Sequence, residues 1–176
     1  MQGTLTLVGM MGAGKSAVGA ELARTLGVPA VDSDHEIERA AAMTIPEIFT
    51  RDGEGFFRER EAEVLARLLS GPPAVLSVGG GAWLRPGNRE AIRGAGVVVW
   101  LDAPLEVLWQ RVRMRSNRPL LATDDPRGTL ETLLEARRPV YAEADIVVPV
   151  SAADSVEDTA AAVRRAVEAH RPGFLA

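Results

Sequence analysis

Along the chain, short uninterrupted apolar runs alternate with stretches in which apolar residues recur every three or four positions. The runs are "TLTLV" at Thr4–Val8, "VPAV" at 28–31, "AVLSV" at 74–78, "VVVWL" at 97–101 and "DIVVPV" at 145–150. Several lack polar alternation, which predicts strands covered on both faces. Between them, Val18, Leu22 and Leu26 share one helical face, as do Val64, Leu65, Leu68 and Leu69. Val156, Ala160, Val163 and Val167 form another stripe, with Ser155 placed to cap its helix. Strand and helix alternate throughout, so the pattern predicts an α/β fold: a five-stranded parallel sheet with helices on both faces.

There is no internal repeat and no low-complexity stretch. The longest polar, proline-bearing interval is "RMRSNRPLLATDDPRG" at 113–128, where a plain turn would need only a few residues. Its length predicts a mobile lid, at 113–125.

Composition narrows the class. A chain of 176 residues suits one domain with a hydrophobic core, here 1–176. Its 47% hydrophobic and 25% charged residues belong to a folded protein and not to a disordered one. The net charge of −4 gives no global attraction to nucleic acid or an anionic membrane. The absence of cysteine excludes disulfides and thiolate metal sites, and only two histidines remain for zinc. No segment approaches the roughly twenty apolar residues of a membrane span, and residues 1–9 lack a basic stretch followed by a long apolar run. A cytoplasmic protein with neither nucleic-acid nor membrane partners is expected.

The first chemistry lies at 9–16, "GMMGAGKS", between the first strand and the first helix. Gly-x4-Gly-Lys-Ser in that context is a P-loop, whose backbone N–H groups curl round a phosphate at the positive end of a helix. The nucleotide would be held by Gly12, Ala13, Gly14, Lys15, Ser16 and Ala17. Lys15 is the only lysine; the other nineteen basic residues are arginine. A compact ammonium can lie along the loop and reach the β and γ phosphates, where a planar, wider guanidinium cannot. Ser16 would coordinate magnesium through its hydroxyl.

The phosphate acceptor must be read from other residues. In "VDSD", Asp32 and Asp34 follow the second strand two apart, so in extended backbone both carboxylates point to one side, at the ligand end of the sheet. One carboxylate would join the magnesium shell and the other would bind a substrate hydroxyl; alternatively Asp34 caps the helix "HEIERAAA". Asp102 competes as a metal-side carboxylate, but before "AP" it reads as an ordinary cap, and Asp32 is favoured. Arginine clusters occur at Arg58, Arg118 and Arg137-Arg138, and a glycine run at 79–81 lets backbone approach a ligand closely. Bidentate arginines suit a carboxylate or phosphates, so the acceptor is an anion bearing hydroxyls. His35, Tyr141 and the tryptophans read as solvated or packing residues.

Together "GMMGAGKS", "DSD", "TIPEIFTRDGEGFFRERE", "VGGG", "RPLL" and "RRPVYAEAD", in this order over residues 4–144, resemble the shikimate kinases. The resemblance implies a nucleoside-monophosphate-kinase-like fold that uses ATP and Mg2+ to phosphorylate the 3-hydroxyl of shikimate in aromatic amino-acid biosynthesis. It implies that Asp34 binds the shikimate hydroxyls, that Arg58 and Arg137 hold its carboxylate, and that the Gly79, Gly80 and Gly81 backbone assists. Arg118 would close onto the phosphates and Arg111 would stack near adenine. Asp32 and Ser16 would organise the metal. Lys15, Asp34 and Arg118 would be the catalytic residues, and 33–61 the shikimate-binding region. Arg137 has the family's spacing from Tyr141, and Arg138 adds a second candidate. A monomer is expected. The rivals are a gluconate- or nucleotide-kinase-like enzyme of the same fold and a non-catalytic nucleotide-dependent binding protein.

Overall fold

The computed structural model describes residues 1–114 and 119–176. All five predicted strands form: β1 (Thr4–Val8), β2 (Ala30–Asp32), β3 (Val75–Ser77), β4 (Gly96–Asp102) and β5 (Ile146–Pro149). They make one parallel sheet in the order β2-β3-β1-β4-β5. β1 is central and every one of its residues is buried, which is why its apolar run shows no alternation. β5 is an edge strand, and buried and exposed residues alternate along it.

The helices are α1 (Lys15–Leu26), α2 (Ser33–Ala41), α3 (Ile45–Leu69), α4 (Pro86–Ala95), α5 (Leu105–Val112), α6 (Pro126–Tyr141) and α7 (Val156–His170). Short 3-10 turns occur at Ala82–Leu84 and Pro119–Leu121. α1 packs on α7, and α3 packs on both α2 and α4. Ser155 caps α7 as expected, its hydroxyl accepting from the Asp158 amide while the Asp158 carboxylate accepts from the Ser155 amide. The main core joins the sheet to α1, α5, α6 and α7. A separate small cluster of Ile37, Ile48 and Phe57 welds α2 to α3. α3 is broken at Gly53, whose φ of 83° only glycine adopts without strain.

Four expectations change. β2 begins two residues later than its apolar run, because the Val28 amide still closes α1 on Ala23 and Pro29 has no N–H to give a ladder. The strand therefore ends on Asp32, and Asp32 rather than Asp34 caps α2, accepting from the Asp34 and His35 amides at 3.0 and 3.4 Å. Asp34 stands in the first turn of α2, so the two carboxylates are not related by an extended backbone. Asp102 is not a cap either: the N-cap of α5 is Pro104, with no side-chain bond. The interval 113–128 is not all loop, since α6 starts at Pro126 with Asp125 as its cap. Arg118 and part of the expected lid at 113–125 lie outside the described residues.

Candidate active site

Two adjoining cavities open at the C-terminal ends of β1, β2 and β3. The larger, about 400 Å3, is built on the P-loop. Gly14 caps α1 from the left-handed region, φ 97°, and has no side chain to fill the helix end. The first-turn amides are thereby left to a ligand. Gly12, φ 84°, lies so close to α5 that a Cβ there would stand 2.8 Å from the Val112 Cγ1. The left-handed backbone favours glycine at both positions, and at Gly12 the close approach of α5 also leaves no room.

The Lys15 ammonium donates to the Gly9 and Met10 carbonyls at 2.8 and 3.0 Å, so the side chain lies back along the loop. Ser16 Oγ donates to Asp32 Oδ2 at 2.5 Å, while Oδ1 of the same carboxylate caps α2. Arg111 Nη1 donates to the Gly12 and Ala13 carbonyls at 3.1 and 3.3 Å, placing a guanidinium beside the loop and in the cavity wall. Val150, Asp154, Ser155, Val156 and Thr159 complete that wall from the β5–α7 connection. No residue of this segment is expected from the sequence as part of the site. The only signal it carries is the capping box at Ser155 and Asp158, which marks where α7 starts.

The second cavity lies between α2, α3, the 79–81 turn, the Pro119–Leu121 turn and α6. It shares Met11, Asp34, Gly79 and Gly80 with the first, so Asp34 stands where the two meet. A Cβ on Gly79 would fall 2.7 Å from Asp34 Oδ1, which explains the absence of a side chain there. Two guanidiniums line the far side. Arg58 is held by Glu61 at 2.9 Å and by Glu54 at 3.4 Å, and lies over the Phe57 ring. Arg137 is 7% exposed, and its Nη1 has no hydrogen-bond partner among the described residues. A buried guanidinium nitrogen left unmatched on a cavity wall is a demand for an anion.

Arg138 turns away. It pairs with Asp102 at 3.3 Å and lies over the Trp100 ring, with its side chain 46% exposed. Helical rotation between successive residues puts the two arginines on different faces of α6, and of the two Arg137 lines the second cavity. The same pairing occupies Asp102, and it lines neither cavity. Asp32, by contrast, sits on the nucleotide cavity beside Ser16.

Glu61 is the residue that the motif reading passes over. It is 1% exposed and faces Arg58, Asp34 and Arg137. Burial raises its pKa above the usual carboxylate range, although the Arg58 charge and hydrogen bonds pull the other way. Its i, i+3 spacing from Arg58 was the available signal. Trp83 and Tyr141 are fully buried as expected, yet neither only packs. Trp83 Nε1 donates to the Val140 carbonyl at 2.8 Å, and the Tyr141 hydroxyl donates to the Gly80 carbonyl.

Comparison with known proteins places this arrangement. The shikimate kinase family model matches residues 11–168. A shikimate kinase of Cereibacter sphaeroides is 62% identical over 172 residues, covering 98% of this chain and 85% of the relative. The solved structure of shikimate kinase from Acinetobacter baumannii in complex with shikimate superposes with a TM-score of 0.93 at 41% identity, over 97% of this chain and 96% of that one. A gluconokinase from Sinorhizobium meliloti, at 23% identity and a TM-score of 0.53 over 98% of each chain, shares the fold alone. A P-loop cavity joined to a second one walled by two guanidiniums, and matches of this extent, lead to one assignment: the chain belongs to the shikimate kinase family.

Proposed function

We propose that shikimate occupies the second cavity with its carboxylate between Arg58 and Arg137 and its 3-hydroxyl at Asp34. ATP then fills the larger cavity with its γ-phosphate towards the junction. The family carries out this phosphoryl transfer, and the observation that carries the placement is the buried, unmatched Nη1 of Arg137 on the same wall as Arg58. A carboxylate supplies acceptors for both guanidiniums. The ring hydroxyls then extend towards Asp34, among the described residues the only carboxylate shared by the two cavities.

Phosphoryl transfer needs alignment and neutralisation of charge more than covalent help from the protein. The P-loop amides and the Lys15 ammonium face the phosphates, and Asp34 orients the acceptor hydroxyl and stands ready to take its proton. Among the described residues no group of three or more His, Asp or Glu side chains could hold a metal by itself. The Ser16 hydroxyl beside the Asp32 carboxylate nevertheless fits Mg2+, which takes hard oxygen ligands, few of them from protein and the rest from phosphate and water. Ser16 would ligate it and Asp32 would hold its water shell; the bound ion would offset charge on the β and γ phosphates. Among the described residues no helix is long and apolar enough to cross a membrane.

The test is ADP release from MgATP in the presence of shikimate, gluconate or a nucleoside monophosphate, repeated with Arg58→Ala. Shikimate alone should stimulate turnover. The variant should raise KM for shikimate by about 10- to 100-fold, as expected for a lost charge-assisted contact, and leave KM for ATP nearly unchanged. Equal weakening of both substrates would refute the division into two cavities.

A further inference from the structure

The 79–81 turn lies against both guanidiniums. A Cβ on Gly81 would overlap the Arg58 guanidinium at 2.5 Å, and one on Gly80 would stand 3.4 Å from Arg137 Nη1. The turn is closed by the Ala82 amide on the Gly79 carbonyl, and the Gly79 amide is taken by Ser33 Oγ at 3.2 Å. The Gly80 carbonyl has a different partner, the hydroxyl of Tyr141, 61 residues further along the chain. No acceptor in the protein is found for the Gly81 amide among the described residues.

A trans peptide is planar, and its C=O and N–H point in opposite directions. Whatever holds the Gly80 oxygen therefore also aims the Gly81 N–H. Tyr141 is fully buried, packs its ring on Trp100 at 5.9 Å between centroids, and also brings its hydroxyl within 3.7 Å of the Met10 sulfur in the P-loop. It cannot swing without breaking that packing. Tyr141 sits one helical turn beyond Arg137, so the two side chains share a face of α6, and the Arg137 guanidinium lies beside the hydroxyl. Burial raises the hydroxyl pKa, which keeps it a donor.

We infer that Tyr141 is a positioning residue for acceptor recognition: by fixing the Gly80 carbonyl towards the core, its hydroxyl turns the Gly81 N–H outward, to the carboxylate held by Arg58 and Arg137. This rests on the placement of shikimate proposed above. The hydroxyl touches no substrate. It supplies the orientation of one backbone donor, which a glycine turn alone would leave free to flip.

The experiment compares Tyr141→Phe, Arg137→Ala and the unaltered protein, using shikimate and its uncharged methyl ester as acceptors. Phenylalanine keeps the ring packing and removes only the donor. KM for shikimate should rise about fivefold, the loss expected for one hydrogen bond, with KM for ATP unchanged and the ester affected much less. Equal loss for shikimate and ester, or no change in KM, overturns the inference. If Arg137→Ala raises KM and Tyr141→Phe does not, this inference alone fails; if Arg137→Ala has no effect, the placement of shikimate fails first. A second measurement does not depend on the variant folding. The amide resonance of Gly81 in the unaltered protein should move on addition of shikimate and move much less with the ester, and an amide indifferent to shikimate rules the role out.

Discussion

The two cavities are made in opposite ways. The nucleotide side takes its centre from one unbroken segment, 11–18, and is completed by Asp32, Arg111 and the β5–α7 connection. The second cavity, proposed for the acceptor, is assembled from α2, α3, the glycine turn, a 3-10 turn and α6, and its charged groups are side chains brought together from positions 34 to 137. Local geometry makes the centre of the first, and tertiary packing makes the second throughout. It follows that changes on the nucleotide side act through shape, while changes on the acceptor side act through charge and through what holds each charge in place.

The severest way to break this contrast is Lys15→Arg. Charge is conserved and only shape changes, yet phosphoryl transfer should fall by about a hundredfold or more, the scale of losing one preorganised transition-state donor. The ammonium now donates to the Gly9 and Met10 carbonyls, a pairing suited to a compact point charge and not to a planar fork. Single-turnover rates with folding monitored by circular dichroism decide it, and a variant with ordinary turnover would mean that charge alone matters at this position.

Next is the pair Arg137→Ala and Arg138→Ala. The first removes a buried cation from the cavity and should raise KM for shikimate by about 10- to 100-fold. The second removes a half-exposed partner of Asp102 and should stay within about twofold. Adjacent positions and identical chemistry make this a clean measure of how far packing, rather than residue type, sets function. Similar effects from both would show that the face of α6 is unimportant.

The smallest effect concerns Glu61. Its pKa is raised on folding, so the stability linked to its titration is fully present below the ordinary glutamate value of about 4.3 and is lost as pH climbs through the raised folded value. Glu61→Gln has no such titration. The Tm of the unaltered protein relative to that of the variant should therefore fall as pH rises above the ordinary glutamate value and through the raised folded one. A gap that stays flat, or widens in favour of glutamate, would show that Arg58 outweighs burial.

How much of this was readable beforehand follows the same line. The five strands, the P-loop and the Ser155 cap are each written in a few neighbouring residues, and each is found at its pattern, with β2 beginning two residues late. The cap of α2 was misplaced because it depends on where β2 ends, and that depends on a register with β3. Nothing adjacent to Arg137 and Arg138 says which faces the cavity; the roll of α6 against the core does. The Tyr141 contact joins positions too far apart in sequence for spacing to suggest it. Residues of the family motifs line the two cavities, but the reasons for several of those placements lie in packing that no motif contains.

Asp32 shows what such economy does to inheritance. One carboxylate ends β2, starts α2 and receives the Ser16 hydroxyl, so a single codon carries three traits that cannot be selected separately. Asparagine would preserve the cap, but its amide would donate to Ser16 and take up the lone pair that a metal ligand must offer. Alanine would forfeit everything at once. The sequence neighbourhood of that position is thus nearly closed, and drift in this enzyme must run through residues that have only one employer.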